Sequence, residues 1–372
     1  MTDKLTLQEK IAYRFIFNEK RVYKNWYGRF FTFNIHYNRI ARVLPKIKNW
    51  YQWCKVWVDE GKKLEEIAAR QVELKNIQSA IELFHHAVGC YHIGQHFFFI
   101  SPEQKETAQE MARSCYKKAI ALYNKDERPI RLEIPYDDCK IPAYLHLTHK
   151  PNMPLVIQVN GMDNIKEAEN HFFGQGLLKH GFNFLAFDGL GQGEMWKQKK
   201  FDSTEYPKLF NTVIDWLETN NNYSINLKKI GLLGFSLGGY LAPYCASLNN
   251  KISCVVGNSG FATLEGTKGA NNLKALNKRG ILYMTGCNNL KDAMLHFDMN
   301  ITKAPRLKIP LLYFHSGKDS VIANPKIHAE TVMNWADGEK ELRYYSEAEH
   351  CTIDFLDEVM PYITDWLKKH LQ

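Results

Sequence analysis

The 372-residue chain is 45% hydrophobic and carries a formal net charge of +8, which leaves ample interior for one large domain beside a smaller one. No amino-terminal run has the apolar core of a signal peptide, and the apolar stretch Phe97-Phe98-Phe99-Ile100 is far too short to span a membrane. Eight scattered cysteines without a C-x-x-C pair exclude the common zinc spacings and point to a reduced, cytoplasmic setting.

Residues 1–49 read as a basic, aromatic arm. Eleven Lys or Arg stand against three acids in the first fifty residues, a difference equal to the whole net charge of +8. Aromatics are interleaved, from Tyr13 and Phe15 to Phe33 and Tyr37. That mixture suits nucleic acid, yet no stacking motif, nucleic-acid fold or further charge excess accompanies it, so no polynucleotide partner is expected. The arm reads as a solvated basic face; an acidic carrier protein is the partner its charge would fit.

Residues 50–127 carry helical spacing without strand alternation, as in Trp57, Leu64, Ile67, Ala68, Ile77, Ile81 and Phe84. Ser101-Pro102-Glu103-Gln104 has the form of an N-cap with proline in the first turn of a further helix. This region is predicted to form an N-terminal helical cap domain over the substrate pocket, with Tyr91, His92 and His96 as candidate contacts to substrate. Four histidines lie close together here, but Ile93 follows His92, so the H-E-x-x-H chemistry is absent and no metal is expected.

Residues 128–372 read as the catalytic domain. Residues 130–135 and 140–147 form a predicted hairpin, 154–159 and 182–188 are strand-like, and a helix is predicted near 205–220. This alternation predicts a mostly parallel sheet with helices on both faces. Residues 271–299 break the rhythm and read as a helical excursion over the site.

Gly234-Phe235-Ser236-Leu237-Gly238 sits between the strand-like residues 229–233 and a helix-compatible run, the setting of a nucleophile elbow. Small residues flank the serine because a sharp turn leaves no room for side chains. A second strand at 307–314 leads into a turn holding Asp319, and a third at 341–345 precedes His350 in the last loop before a helix at 354–371. The order Ser236, Asp319, His350 is that of an α/β-hydrolase triad. Serine needs a base with a pKa near 7, which histidine supplies, and the aspartate holds the useful tautomer. The oxyanion donors are predicted to be the N–H groups of Leu237 and of Met162, in the loop after 154–159, with Asp163 beside them as a candidate substrate contact.

Glu265, after the strand near 254–258, is an alternative triad acid or a polar wall of the pocket. His315 reads as a strand-end structural residue, and Asp354 stands too close behind His350 to serve as its acid.

Three runs carry a family resemblance: residues 160–167 (N-G-M-D-N-I-K-E), 187–194 (F-D-G-L-G-Q-G-E) and 234–240 (G-F-S-L-G-G-Y). Together they resemble the FrsA-like α/β-hydrolases, and the likeness extends from about residue 50 through the catalytic domain. The resemblance implies an α/β-hydrolase fold with a helical domain closing over the pocket, a homodimer, a small-molecule substrate, no cofactor, and cleavage of a carbon–carbon bond beside a ketone. Esterases also occur in the group. Carbon–carbon hydrolysis of a β-dicarbonyl or polyketide-like compound therefore leads, ahead of carboxylesterase or thioesterase activity and of a non-catalytic binding protein. The first fifty residues and the region 263–300 depart from the pattern.

Overall fold

A capping box opens the described chain: Thr6 Oγ1 accepts from the Glu9 N–H at 3.2 Å, and the Thr6 N–H donates to the Glu9 carboxylate at 2.8 Å. The computed structural model describes residues 6–148, 150–264, 273 and 275–372. The chain divides into two units. One takes in the residues up to Pro129 together with Glu167–Phe172; the other comprises Ile130–Lys166 and Phe173–Gln372.

The first unit is helical, with α1 (Leu7–Phe15), α2 (Glu19–Thr32), α3 (Tyr37–Val43), α4 (Trp53–Glu73), α5 (Ile77–Gln95) and α6 (Pro102–Ala121) among the described residues. The helical spacing read through residues 57–84 is interrupted at Leu74–Asn76, where Lys75 takes a left-handed φ of 61° and the chain turns back. Ser101 caps α6 by accepting the Gln104 N–H at 3.3 Å. The first fifty residues are not set apart as an arm. Phe30 lies 5.5 Å from Trp57 between ring centroids, and Phe33 meets His92 edge-on at 4.4 Å, so α2 and the turn after it share an interior with α4 and α5.

The second unit is built on an eight-stranded sheet. Its strands are β1 (Ile130–Tyr136), β2 (Cys139–His146), β3 (Pro154–Val159), β4 (Asn183–Phe187), β5 (Asn226–Phe235), β6 (Ile252–Asn258), β9 (Leu311–Ser316) and β10 (Lys340–Tyr345), with β7 (Thr263–Leu264) and β8 (Met299–Asn300) forming a separate two-stranded ribbon. The order is β1-β2-β4-β3-β5-β6-β9-β10. β2 pairs antiparallel with both β1 and β4, and the pairings from β4 through β10 are parallel. This is the α/β-hydrolase fold. The predicted hairpin closes on Tyr136 opposite Cys139. β9 starts later than expected, at Leu311, because Pro310 before it has no N–H to give a ladder.

Period-two alternation sends Leu155, Ile157 and Val159 of β3 to one face, where they join Leu185, Phe187 and Leu232. That face is covered by Phe210, Val213 and Ile214 of α8 (Tyr206–Thr219), which comes after α7 (Glu169–Lys179), and by Leu241 and Cys245 of α9 (Leu237–Ser247). The parallel strands deliver the ends of β3, β5, β6 and β9 to one edge of the sheet, where ligands bind in open α/β folds.

Trp57 is fully buried among these aromatics of the helical unit. Trp57→Ala is expected to cost about 3–5 kcal/mol of unfolding free energy, through lost burial and the cavity left behind. Urea denaturation followed by circular dichroism measures it.

Candidate active site

Strand β5 ends at Phe235, and the chain reverses through Ser236 into α9. Ser236 takes φ 57° and ψ −119°, a conformation that L residues rarely adopt. The turn closes because Gly238 has no side chain: a Cβ there would lie 2.0 Å from the Val159 carbonyl oxygen. The Ser236 N–H donates to the Asn258 carbonyl at 2.8 Å, which fixes the turn against the end of β6. Ser236 is only partly buried, although its neighbours in the turn are buried.

The structure brings Ser236, His350 and Asp319 together. His350 Nε2 lies 2.8 Å from Ser236 Oγ, and His350 Nδ1 lies 2.7 Å from Asp319 Oδ2. The His350 side chain is 1% exposed and that of Asp319 0%, so the hydrogen bond between them is shielded from water. Asp319 Oδ1 accepts the N–H groups of Val321 (2.8 Å) and Ile322 (2.7 Å), which orient the carboxylate. Burial disfavours the Asp319 carboxylate, but His350 and these N–H groups outweigh it and hold its pKa below the ordinary value. Burial likewise disfavours the His350 imidazolium, and the Asp319 charge outweighs it, so the His350 pKa is raised.

The N–H of Leu237 opens α9, in the first turn of the helix where N–H groups lack intrahelical carbonyl partners and the dipole favours an anion. The loop after β3 runs beside it, since Gly161 lies against the Phe235 carbonyl and the Ser236 Cβ. Met162 follows Gly161 in that loop, and Asp163 is buried.

This loop is clamped by the run after β4, a feature that spacing did not disclose. Asn160 Nδ2 donates to the Phe187 carbonyl at 2.9 Å, and Gln192 Nε2 donates to the carbonyls of Gly161 (2.7 Å) and Asn160 (3.3 Å). Lys166, whose side chain is 0% exposed, extends its ammonium between Asp188 Oδ2 at 2.8 Å and Glu194 Oε1 at 2.6 Å. Arg131 pairs with both oxygens of Glu194, at 2.8 and 3.0 Å. Burial disfavours the Glu194 carboxylate, yet Lys166 and Arg131 hold its pKa well below the carboxylate range. Asp188 also accepts the backbone N–H groups of Lys166 and Glu194, both at 3.0 Å. Gly193, at φ 43°, leaves room for it: a Cβ there would stand 2.2 Å from Asp188 Oδ2. The D-G-x-G-Q-G-E run and the N-G-M-D-N-I-K-E run that contains Lys166 are both visible in the sequence, but nothing in either marks the ion pairs that join them.

His315 is buried at the end of β9, where its Nδ1 accepts the Ser316 N–H at 3.0 Å, and burial lowers its pKa to about 4. Asp354 accepts the Glu349 N–H at 3.0 Å and so closes the loop that holds His350. Glu265 lies outside the described residues. Tyr91, His92 and His96 are buried in the helical unit. Tyr91 donates to Glu65 at 2.5 Å, Gln95 Nε2 meets His92 Nδ1 at 3.0 Å, and Arg29 lies 3.4 Å from His96 Nε2. Among the described residues, no group of three or more His, Cys, Asp or Glu could hold a metal ion, and no helix is long and apolar enough to cross a membrane.

Comparison with known proteins agrees with this architecture. The profile of the family described as Esterase FrsA-like matches residues 48–265, and that of the prolyl oligopeptidase family matches residues 175–372. The chain is 27% identical over 351 residues to 2,6-dihydropseudooxynicotine hydrolase of Paenarthrobacter nicotinovorans, covering 92% of this chain and 90% of that one. It is 30% identical over 196 residues to Esterase FrsA of Vibrio vulnificus, covering 51% of this chain and 43% of that one. With the 20-hydroxy-prefusarin hydrolase of Gibberella moniliformis it shares 26% identity over 202 residues, 51% of this chain and 48% of that one. The crystal structure of 2,6-dihydroxy-pseudo-oxynicotine hydrolase superposes with a TM-score of 0.81 at 25% identity, covering 93% of this chain and 95% of that one.

Lys166→Met leaves the buried Asp188 without its ammonium partner. It is expected to destabilise the protein by about 3–5 kcal/mol. The same substitution combined with Asp188→Leu is expected to recover part of that loss, and a double-mutant cycle by urea denaturation measures the coupling.

Proposed function

The chain belongs to the FrsA-like esterase family, and from that membership we propose that it is a serine hydrolase that cleaves a carbon–carbon bond beside a ketone through an acyl-enzyme. The observation that carries the proposal is the unbroken hydrogen-bonded line from Ser236 Oγ through His350 to Asp319. In this reading His350 Nε2 takes the hydroxyl proton as Oγ attacks the ketone carbon. The N–H groups of Leu237 and Met162 receive the resulting oxyanion. The bond to the leaving carbon then breaks, its electron pair departs with that carbon, and His350 returns the proton there. Water hydrolyses the acyl-enzyme with His350 again as base, releasing a carboxylic acid and restoring Ser236.

A carbon leaving group needs somewhere to place its electrons. The substrate class is therefore a 1,3-dicarbonyl or an acylated phenolic ring, whose leaving carbon departs as an enolate or an electron-rich arene. The family resemblance supports this choice, as does the similarity along nearly the whole chain to a hydrolase named for 2,6-dihydropseudooxynicotine. The same residues also serve ester hydrolysis, a reading favoured by the match to the esterase profile.

Ser236→Ala is expected to lower turnover by several orders of magnitude with the fold retained, and to abolish labelling by a fluorophosphonate. Near-normal turnover in that variant would refute the proposal. Turnover of 1,3-diketones against aryl esters of similar size decides between the two substrate classes.

The pH profile tests Asp319. Catalysis needs neutral His350, and the Asp319 charge favours the protonated form, so the acidic limb of kcat/KM is expected above the ordinary histidine range. Asp319→Asn removes that charge, and the limb should move to lower pH while the plateau falls by about ten-thousandfold.

A further inference from the structure

The loop after His350 has an unusual backbone. Cys351 and Thr352 are both left-handed, at φ 66° and φ 48°, and Thr352 is β-branched, for which such a conformation is an outlier. Two successive residues of this kind persist only where the surroundings over-determine them.

Those surroundings come from the ends of two strands. Asn258 Nδ2, at the end of β6, donates to the Cys351 carbonyl at 3.1 Å and to Thr352 Oγ1 at 2.8 Å. Ser259 Oγ accepts the Cys351 N–H at 3.1 Å and donates to Asn258 Oδ1 at 3.0 Å. Ser316 Oγ, at the end of β9, accepts the Thr352 N–H at 3.0 Å and lies 3.2 Å from Ser259 Oγ. Asn258, Ser259, Ser316 and Thr352 are each 0% exposed. Both N–H groups, the Cys351 carbonyl and the Thr352 hydroxyl thus have protein partners.

The same Asn258 holds the other reacting residue. Its carbonyl oxygen accepts the Ser236 N–H, as described above. One residue therefore grips the nucleophile's peptide through its backbone and the histidine's loop through its side chain. We infer that Asn258, with Ser259, Ser316 and Thr352, is a positioning cluster that sets the separation of Ser236 Oγ and His350 Nε2. The cluster acts through Ser236 and His350 and makes no contact with substrate in this role. The inference rests on the serine-hydrolase reading above.

Removing the amide of Asn258 releases the His350 loop while the backbone carbonyl still holds Ser236. A misplacement of the order of 1 Å between reacting groups costs about a hundredfold in rate. Asn258→Ala is accordingly expected to lower kcat about a hundredfold with KM nearly unchanged, and to slow fluorophosphonate acylation of Ser236 by a similar factor. Thr352 supplies a second pair of variants at nearly constant shape. Thr352→Ser keeps the hydroxyl and should retain most of the acylation rate, whereas Thr352→Val loses the hydroxyl and should fall with Asn258→Ala.

The outcomes are distinct. Wild-type protein that takes up no fluorophosphonate label would refute the serine-hydrolase reading itself. Label taken up by wild type and by Asn258→Ala at equal rates would overturn only the positioning role. So would a kcat loss that follows the melting temperature and vanishes on cooling, or equal rates for Thr352→Ser and Thr352→Val. Should Asn258→Ala fail to fold, the Thr352 pair decides alone.

Discussion

A serine forced into a left-handed turn at the end of a central strand is the constraint on which the site depends. The conformation of Ser236 costs about 1–3 kcal/mol, and the sheet on either side supplies the rigidity that maintains it. The close approach of Gly238 to the Val159 carbonyl places the end of β3 against the elbow, so the loop carrying Met162 begins beside Ser236. The hydrogen bond from Ser236 N–H to Asn258 does the same for the end of β6. Parallel pairing then brings the Asp319 turn, which follows β9, to the same edge.

Electrostatics complete what the sheet begins. The Lys166 ammonium is fully buried between two carboxylates, an arrangement whose desolvation cost leaves little net stability but whose geometry admits few alternatives. Asp188 joins the start of one loop to the end of another by accepting two backbone N–H groups as well as the ammonium. Under the proposed mechanism a fixed loop matters because an oxyanion donor works by being in place before charge develops, and a donor that must move loses that advantage.

Much of this could be read from the chain. Ser236 and Asp319 stand after strands with strong apolar patterns, His350 follows a more polar strand-like run, and their order along the chain corresponds to one fold. The hairpin, the parallel strands and the N-cap at Ser101 follow from local signals of turn and period. Less legible were features fixed by contacts far apart in sequence. Arg131 looks like an ordinary surface cation and Lys166 stands in a recognisable run without any sign of its partners until Glu194 is placed between them, and Asn258 gives no sign of reaching Cys351 and Thr352. The break at Lys75 is not legible because the apolar spacing continues across it while the backbone reverses. The first fifty residues looked like a solvated arm because charge dominated the reading, whereas Phe30 and Phe33 supply aromatic packing to α4 and α5.

The helical unit is discontinuous: it needs Glu167–Phe172, synthesised after the first three strands of the sheet. Within it, His171 Nδ1 lies 2.8 Å from the Tyr116 hydroxyl and its ring stacks on His85 at 4.5 Å. On the ribosome, the helices emerge first, and the Tyr116 hydroxyl and the His85 ring meet His171 only once this segment follows. A protein shortened to its first 129 residues would present the Tyr116 phenol and the face of His85 without that cover. Exchange of the helical part between relatives must therefore carry two stretches of sequence, and a single crossover at residue 130 would join mismatched halves.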